Sequence, residues 1–121
     1  MKSKTWLQSF GHALDGICKT AASERNFRVQ LFMGAAAIAM CLIFRVEAWQ
    51  FILVAFAIFF VLAMELMNTA IEALADLICG DKPHPLAKKA KDAAAGAVLL
   101  ASAFALVVGA VVAIAIIRRY F

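Results

Sequence analysis

Apolar and polar positions alternate along the chain on two scales, within helical turns and between whole segments. From Trp6 the apolar residues Phe10, Leu14, Ile17, Cys18, Ala21 and Ala22 recur at helical spacing, opposite Lys4, Asp15, Lys19 and Glu24. That periodicity predicts an amphipathic helix over about residues 4–24, lying in the plane of a membrane interface. Phe27 to Phe44 is apolar except for Arg28 and Gln30 near its start. Its length approaches the roughly 20 residues that cross a bilayer, so a first transmembrane helix is predicted over about 27–45. Arg45 to Gln50 reads as a short turn with Trp49 suited to the membrane–water interface. Ala48 to Ile78 then runs without proline or glycine. At about 1.5 Å per residue such a helix far exceeds a hydrocarbon core of about 30 Å. The second transmembrane helix, about 48–78, must therefore protrude, and its carboxylates occupy the last third. Gly80 to Lys91, "GDKPHPLAKKAK", reads as a loop from its glycine, prolines and charges. A third transmembrane helix is predicted over about 92–117. Along it Ala93, Ala97, Ala101, Ala105, Gly109 and Ala113 form a stripe of small residues that allows close helix packing.

Composition supports an integral membrane protein of one domain. The chain has 121 residues, 65% of them hydrophobic and 17% charged, with a mean hydropathy of +0.90, outside the range of soluble globular domains. No short apolar region with a small-residue cleavage site precedes the first span, so the apolar segments are expected to stay in the mature protein. Cys18, Cys41 and Cys79 are scattered and lack metal-ligand spacing, which reads as packing. The net charge of +4 follows topology rather than a nucleic-acid patch. With three spans, Lys2, Lys4, Lys19, Arg25, Arg28, Lys82, Lys88, Lys89 and Lys91 share one side, against Arg45, Arg118 and Arg119 on the other. The positive-inside rule makes the first side cytoplasmic, and the carboxylate-rich end of the second span faces it.

That end reads "ELMNTAIEALAD", Glu65 to Asp76. Relative to Glu65, the residues Asn68, Glu72 and Asp76 fall within roughly 80° on a helix of 3.6 residues per turn, so they form one polar stripe. A charged side chain at mid-bilayer costs roughly 2.5 kcal/mol or more, and the stripe needs compensation. Pairing with Arg25, Arg28 or Lys91 of a neighbouring helix is one form of it. A proton or ion relay in a small oligomer is another, although a relay wants acidic groups spread through the bilayer depth. Phosphoryl transfer is the third. Glu24 and Glu72 suffice for a magnesium ion, which commonly takes one or two carboxylates plus phosphate oxygens. Lys88, Lys89 and Lys91 neutralise phosphate, and Glu65 can take a proton from a lipid hydroxyl. Neither a GxxxxGK[ST] loop nor a kinase GxGxxG is present.

Three stretches, "SERNFRVQL" (Ser23 to Leu31), "ELMNTAIEALADLI" (Glu65 to Ile78) and "HPLAKKAKDAAAGAVLL" (His84 to Leu100), resemble the prokaryotic diacylglycerol kinase family, and most of all its undecaprenol-phosphorylating branch. The resemblance covers about residues 8 to 117. It implies an all-α integral membrane kinase with a surface helix and three spans. It also implies a homotrimer in the bacterial plasma membrane, with active sites between subunits on the cytoplasmic face. By the same resemblance Glu65 is the catalytic base, Glu24 and Glu72 hold magnesium, and Asn68 lies beside them. Lys91 and Asp92 contact ATP, joined by Asn68, His84 and His12, while Arg28 and Gln30 stand with Glu65 at the lipid. Three features depart from the pattern. Gln30 replaces a carboxylate of the diacylglycerol branch, His12 stands where an aromatic contact is expected, and the loop around "CGDKPHP" is one residue longer.

Overall fold

The computed structural model describes residues 5–121; Lys2 and Lys4, counted above on the basic side, lie outside the described residues. The chain folds into α1 (Trp6–Ser23), α2 (Arg25–Ile43), α3 (Ala48–Cys79) and α4 (Pro85–Tyr120), with no strand among the described residues. Helices α2, α3 and α4 are each long and apolar enough to cross a membrane. Helix α1 starts where the Thr5 hydroxyl accepts from the Gln8 N–H at 3.1 Å. It buries no residue and leaves Trp6, Leu7 and Phe10 widely exposed. A free apolar face of this kind is what an interface-bound helix presents to lipid.

The last helix begins seven residues before the predicted start. Pro85 stands in its first turn and the His84 ring nitrogen Nδ1 accepts from the Leu86 N–H at 3.1 Å. Proline suits a first helical turn because its missing N–H has no partner there anyway. Hydropathy hid this start, since Lys88, Lys89 and Lys91 lie on the part of α4 that extends beyond the apolar stretch. The predicted loop of residues 80–91 accordingly shrinks to 80–84, turned by Gly80 at φ +55°. α2 likewise runs two residues earlier at each end than the predicted 27–45, because the chain reverses at Arg45, which has φ +48°.

The helix α3 carries the packing, with α4 laid along one side and α2 on another. Cys41, Val54, Ala57, Val108 and Val112 form the core. Beside it Phe104 of α4 meets Phe56 and Phe60 of α3 edge-on, with ring centroids 6.0 and 6.5 Å apart. The small-residue stripe of α4 is only partly in this contact: Ala94, Ala101 and Val108 are buried, whereas Ala93, Gly109 and Ala113 are exposed. A four-residue repeat drifts about 40° per step on an α-helix, whereas a seven-residue one drifts about 20°. The interface therefore follows positions 94, 101 and 108. Of the cysteines, Cys41 packs in the core, Cys79 is half-buried, and Cys18 is exposed on α1 and does not pack.

At the end away from the carboxylates the Tyr120 hydroxyl donates to the Phe44 carbonyl and Arg119 Nη1 to the Arg45 carbonyl, both at 2.8 Å. These bonds tie the end of α2 to the end of α4. On the way, Gly34 of α2 approaches α3 closely: a Cβ there would stand 2.8 Å from Ile58 Cγ2. Ile58 is β-branched and stiff at that atom, so Gly34→Val should destabilise the chain by about 1–3 kcal/mol. Thermal unfolding in detergent micelles measures it, and an unchanged midpoint would show that α2 can move off α3 freely.

Candidate active site

Glu65 is 5% exposed and is the one buried carboxylate among the described residues. It sits past the middle of α3, where the apolar part of the helix gives way to the polar stripe. The Gln30 amide of α2 faces its carboxyl, and the carboxylates of Glu72 and Glu24 stand close enough to act on it electrostatically. Three elements thus converge: α2 through Gln30, α3 through Glu65 and Glu72, and the α1–α2 joint through Glu24.

On the stripe itself the Asn68 amide nitrogen donates to Glu72 Oε1 at 3.2 Å, as their separation of one helical turn allows. Asn68 Oδ1 and Gln30 Oε1 are buried and accept no hydrogen bond. Buried acceptors without a donor cost roughly 1–3 kcal/mol each, and such groups commonly mark the place of a ligand, water or ion.

Glu24 owes its position to a break in the helix. Its backbone is extended, at φ −108° and ψ 113°, between α1 and α2, and its N–H still donates to the Thr20 carbonyl at 2.8 Å. Its side chain caps neither helix. Arg28 fixes the bend, since its Nη1 donates to the carbonyls of Ala21 and Ala22, both at 2.9 Å. These are last-turn carbonyls of α1, which have no helical partner. The structure thus engages Arg28 in the joint.

Farther out, Asp76 accepts from Lys91 of α4 at 2.5 Å, and Lys88 pairs with Asp92 at 2.5 Å. Asp76 therefore finds its partner within the chain. Both pairs line an open cavity of about 810 Å³ between the end of α3 and the start of α4, with Lys82 and His84 on its rim. His84 also serves as the cap of α4. His12 is exposed on α1, about three turns before Glu24.

Periodicity missed a second cavity. An apolar groove of about 490 Å³ lies between α2, α3 and α4, running from Gln30 and Met33 past Val61 and Gly109 to Ile116. Gly109 and Ala113, the part of the small-residue stripe that leaves the α3 contact, line it. Gln30 borders both the groove and Glu65.

Among the described residues no three His, Cys, Asp or Glu side chains converge on one point that could hold an ion. The all-oxygen set of Glu72, the orphaned Asn68 Oδ1 and Glu24 still suits magnesium, which needs few protein ligands and completes its shell with water and phosphate oxygens.

Comparison with known proteins finds a matching family and similar chains. The family described as prokaryotic diacylglycerol kinase matches residues 11–113. The chain is 44% identical over 103 residues to a diacylglycerol kinase of Synechocystis sp., covering 85% of this chain and 59% of that protein. It is 39% identical over 104 residues to an undecaprenol kinase of Bacillus subtilis, covering 86% and 84%. A diacylglycerol kinase of Haemophilus influenzae is 28% identical over 95 residues, covering 78% and 80%. The match thus spans about three-fifths of the Synechocystis protein and most of the other two.

The joint makes a testable point. Arg28→Ala should speed hydrogen exchange over the last turn of α1 about tenfold, the effect of losing roughly 1.4 kcal/mol at the low end of a charged hydrogen bond. Exchange measured by mass spectrometry checks this, and unchanged protection would mean that the joint holds without the arginine.

Proposed function

The chain belongs to the prokaryotic diacylglycerol kinase family, and from that membership we propose that it transfers the γ-phosphate of ATP to the hydroxyl of a membrane lipid alcohol, with undecaprenol as the main acceptor. One observation carries the reading. Glu65 is buried at the inner end of the carboxylate stripe, facing Gln30, which in turn lines the apolar groove. A lipid entering from the bilayer would lay its chain in the groove and bring its hydroxyl to Glu65.

Glu65 takes the hydroxyl proton as the new oxygen–phosphorus bond forms and the bond to the ADP oxygen breaks. Lys91, with Lys88 beside it, supplies positive charge to the phosphates from the cavity between α3 and α4, where Asp92 and His84 are further nucleotide contacts; His12, on α1 and outside the lining of that cavity, is the remaining nucleotide contact of the reading. Glu72, Glu24 and Asn68 Oδ1 are the groups that would hold magnesium, which when bound neutralises charge on the β- and γ-phosphates. Gln30 orients the hydroxyl. Arg28, in this reading, serves the lipid end indirectly by holding the joint.

Undecaprenol is favoured by Gln30, which stands where the diacylglycerol branch carries a carboxylate, and by the similarity to the Bacillus subtilis undecaprenol kinase over most of both chains. Diacylglycerol is the alternative acceptor, in keeping with the names of the other two relatives. The exposed apolar side chains of α3, among them Ile52, Phe56, Phe59 and Met67, suit association into the homotrimer of the reading, with sites between subunits. The lysines at the carboxylate end support a cytoplasmic site in the bacterial plasma membrane. A relay of protons or ions is disfavoured because Glu65, Glu72 and Asp76 gather in one end of α3.

Transfer of labelled γ-phosphate from ATP to undecaprenol and to diacylglycerol, run side by side in mixed micelles, tests the reading: more product is expected from undecaprenol, product from diacylglycerol alone overturns undecaprenol as the acceptor, and no product from either overturns the kinase reading. Glu65→Gln should lower turnover by about 10²–10⁴-fold, the usual worth of a general base, without changing the elution volume of the purified protein. Near-normal turnover in that variant would remove Glu65 from the chemistry.

A further inference from the structure

Asp76 has no part in the mechanism above, yet it holds the lysine that does. Lys91 Nζ lies 2.5 Å from Asp76 Oδ1, and the two side chains are 41% and 65% exposed. Glu72, one turn closer to the bilayer centre on the same face of α3, also attracts Lys91 electrostatically. Among the described residues, however, no ion pair joins Lys91 to Glu72, whose Oε1 instead accepts from Asn68. The lysine thus lies in the field of two carboxylates of one helix face and rests on the outer one.

We propose that Asp76 is a positioning residue that reserves Lys91, keeping its ammonium off Glu72 so that Glu72 and Asn68 Oδ1 stay open to a divalent cation. This rests on the kinase reading, in which Glu72 serves the metal and Lys91 the phosphates. An exposed pair of this kind is worth about 0–1 kcal/mol, so it yields readily when nucleotide phosphates enter the cavity. Without the Asp76 charge, Lys91 is left with Glu72, about 6 Å farther in by helix rise. A long, flexible lysine covers that distance. An ammonium seated on Glu72 opposes a cation there by direct repulsion and by occupying the carboxylate oxygens.

The test uses the full chain in detergent, with Mn²⁺ as the probe, titrated by electron paramagnetic resonance in the absence of nucleotide. Asp76→Asn should weaken Mn²⁺ binding by about fivefold, the upper worth of one exposed charge pair. The magnesium concentration for half-maximal phosphoryl transfer should rise by the same factor, and the deficit in rate should close as magnesium saturates. Asp76→Glu should behave as the wild type. The double variant Asp76→Asn, Lys91→Met should recover Mn²⁺ affinity even though its use of ATP is impaired. Unchanged Mn²⁺ affinity in Asp76→Asn overturns the proposal, as does a rate deficit that persists at saturating magnesium or a double variant that binds no better than the single one. If the wild type phosphorylates neither lipid, the kinase reading fails, while the Mn²⁺ titration still decides whether Asp76 keeps Lys91 off Glu72.

Discussion

A carboxylate taken out of water at the edge of a bilayer has to be given partners, and the organisation of this chain follows from meeting that demand at Glu65. Placing a charge at mid-bilayer costs about 2.5 kcal/mol or more, and Glu65 is buried with Glu72 and Glu24 close by. Like charges raise the cost of ionising together. The structure meets this with the Gln30 amide across from Glu65 and the Asn68 amide on Glu72. It also leaves two buried acceptors, Gln30 Oε1 and Asn68 Oδ1, without donors. Buried acceptors left without donors are costly, so these two atoms set this cluster apart from a fully satisfied polar network.

The scaffold around the site follows from helix length. The 32 residues of α3 and 36 of α4 exceed what a bilayer core needs. Their excess lies at the carboxylate end, where it builds the cavity lined by lysines. At the other end the hydrogen bonds from Tyr120 and Arg119 to the end of α2 fix the helices relative to one another. The close approach at Gly34 brings α2 near enough for Gln30 to face Glu65. The break at Glu24, clamped by Arg28, brings the third carboxylate inward.

Much of this was legible in the sequence because it depends on periodicity and charge alone. The three spans, the amphipathic first helix and the single face shared by Glu65, Asn68, Glu72 and Asp76 are consequences of residue spacing. The start of α4 was not, because a helix that leaves the membrane carries the same lysines as a loop. Lys91 stands among three candidate partners of the stripe, but its choice of Asp76 depends on the register between α3 and α4, which a turn of residues 80–84 sets and no local pattern states. Arg28 illustrates the same limit: its bonds to Ala21 and Ala22 exist only because the chain bends at Glu24. The groove was hidden because a four-residue stripe of small side chains reads as one packing face, whereas helical drift divides it between α3 and the groove.

In the proposed reaction, lipid and phosphate chemistry meet at Glu65. Photolabelling with an undecaprenol analogue that carries a diazirine beside its hydroxyl end examines this directly, by peptide mapping of the wild-type chain in lipid. Label is expected on Gln30, Met33 and Glu65, displaced by excess unlabelled undecaprenol. Label confined to the exposed faces of the helices, and indifferent to competitor, would contradict that expectation.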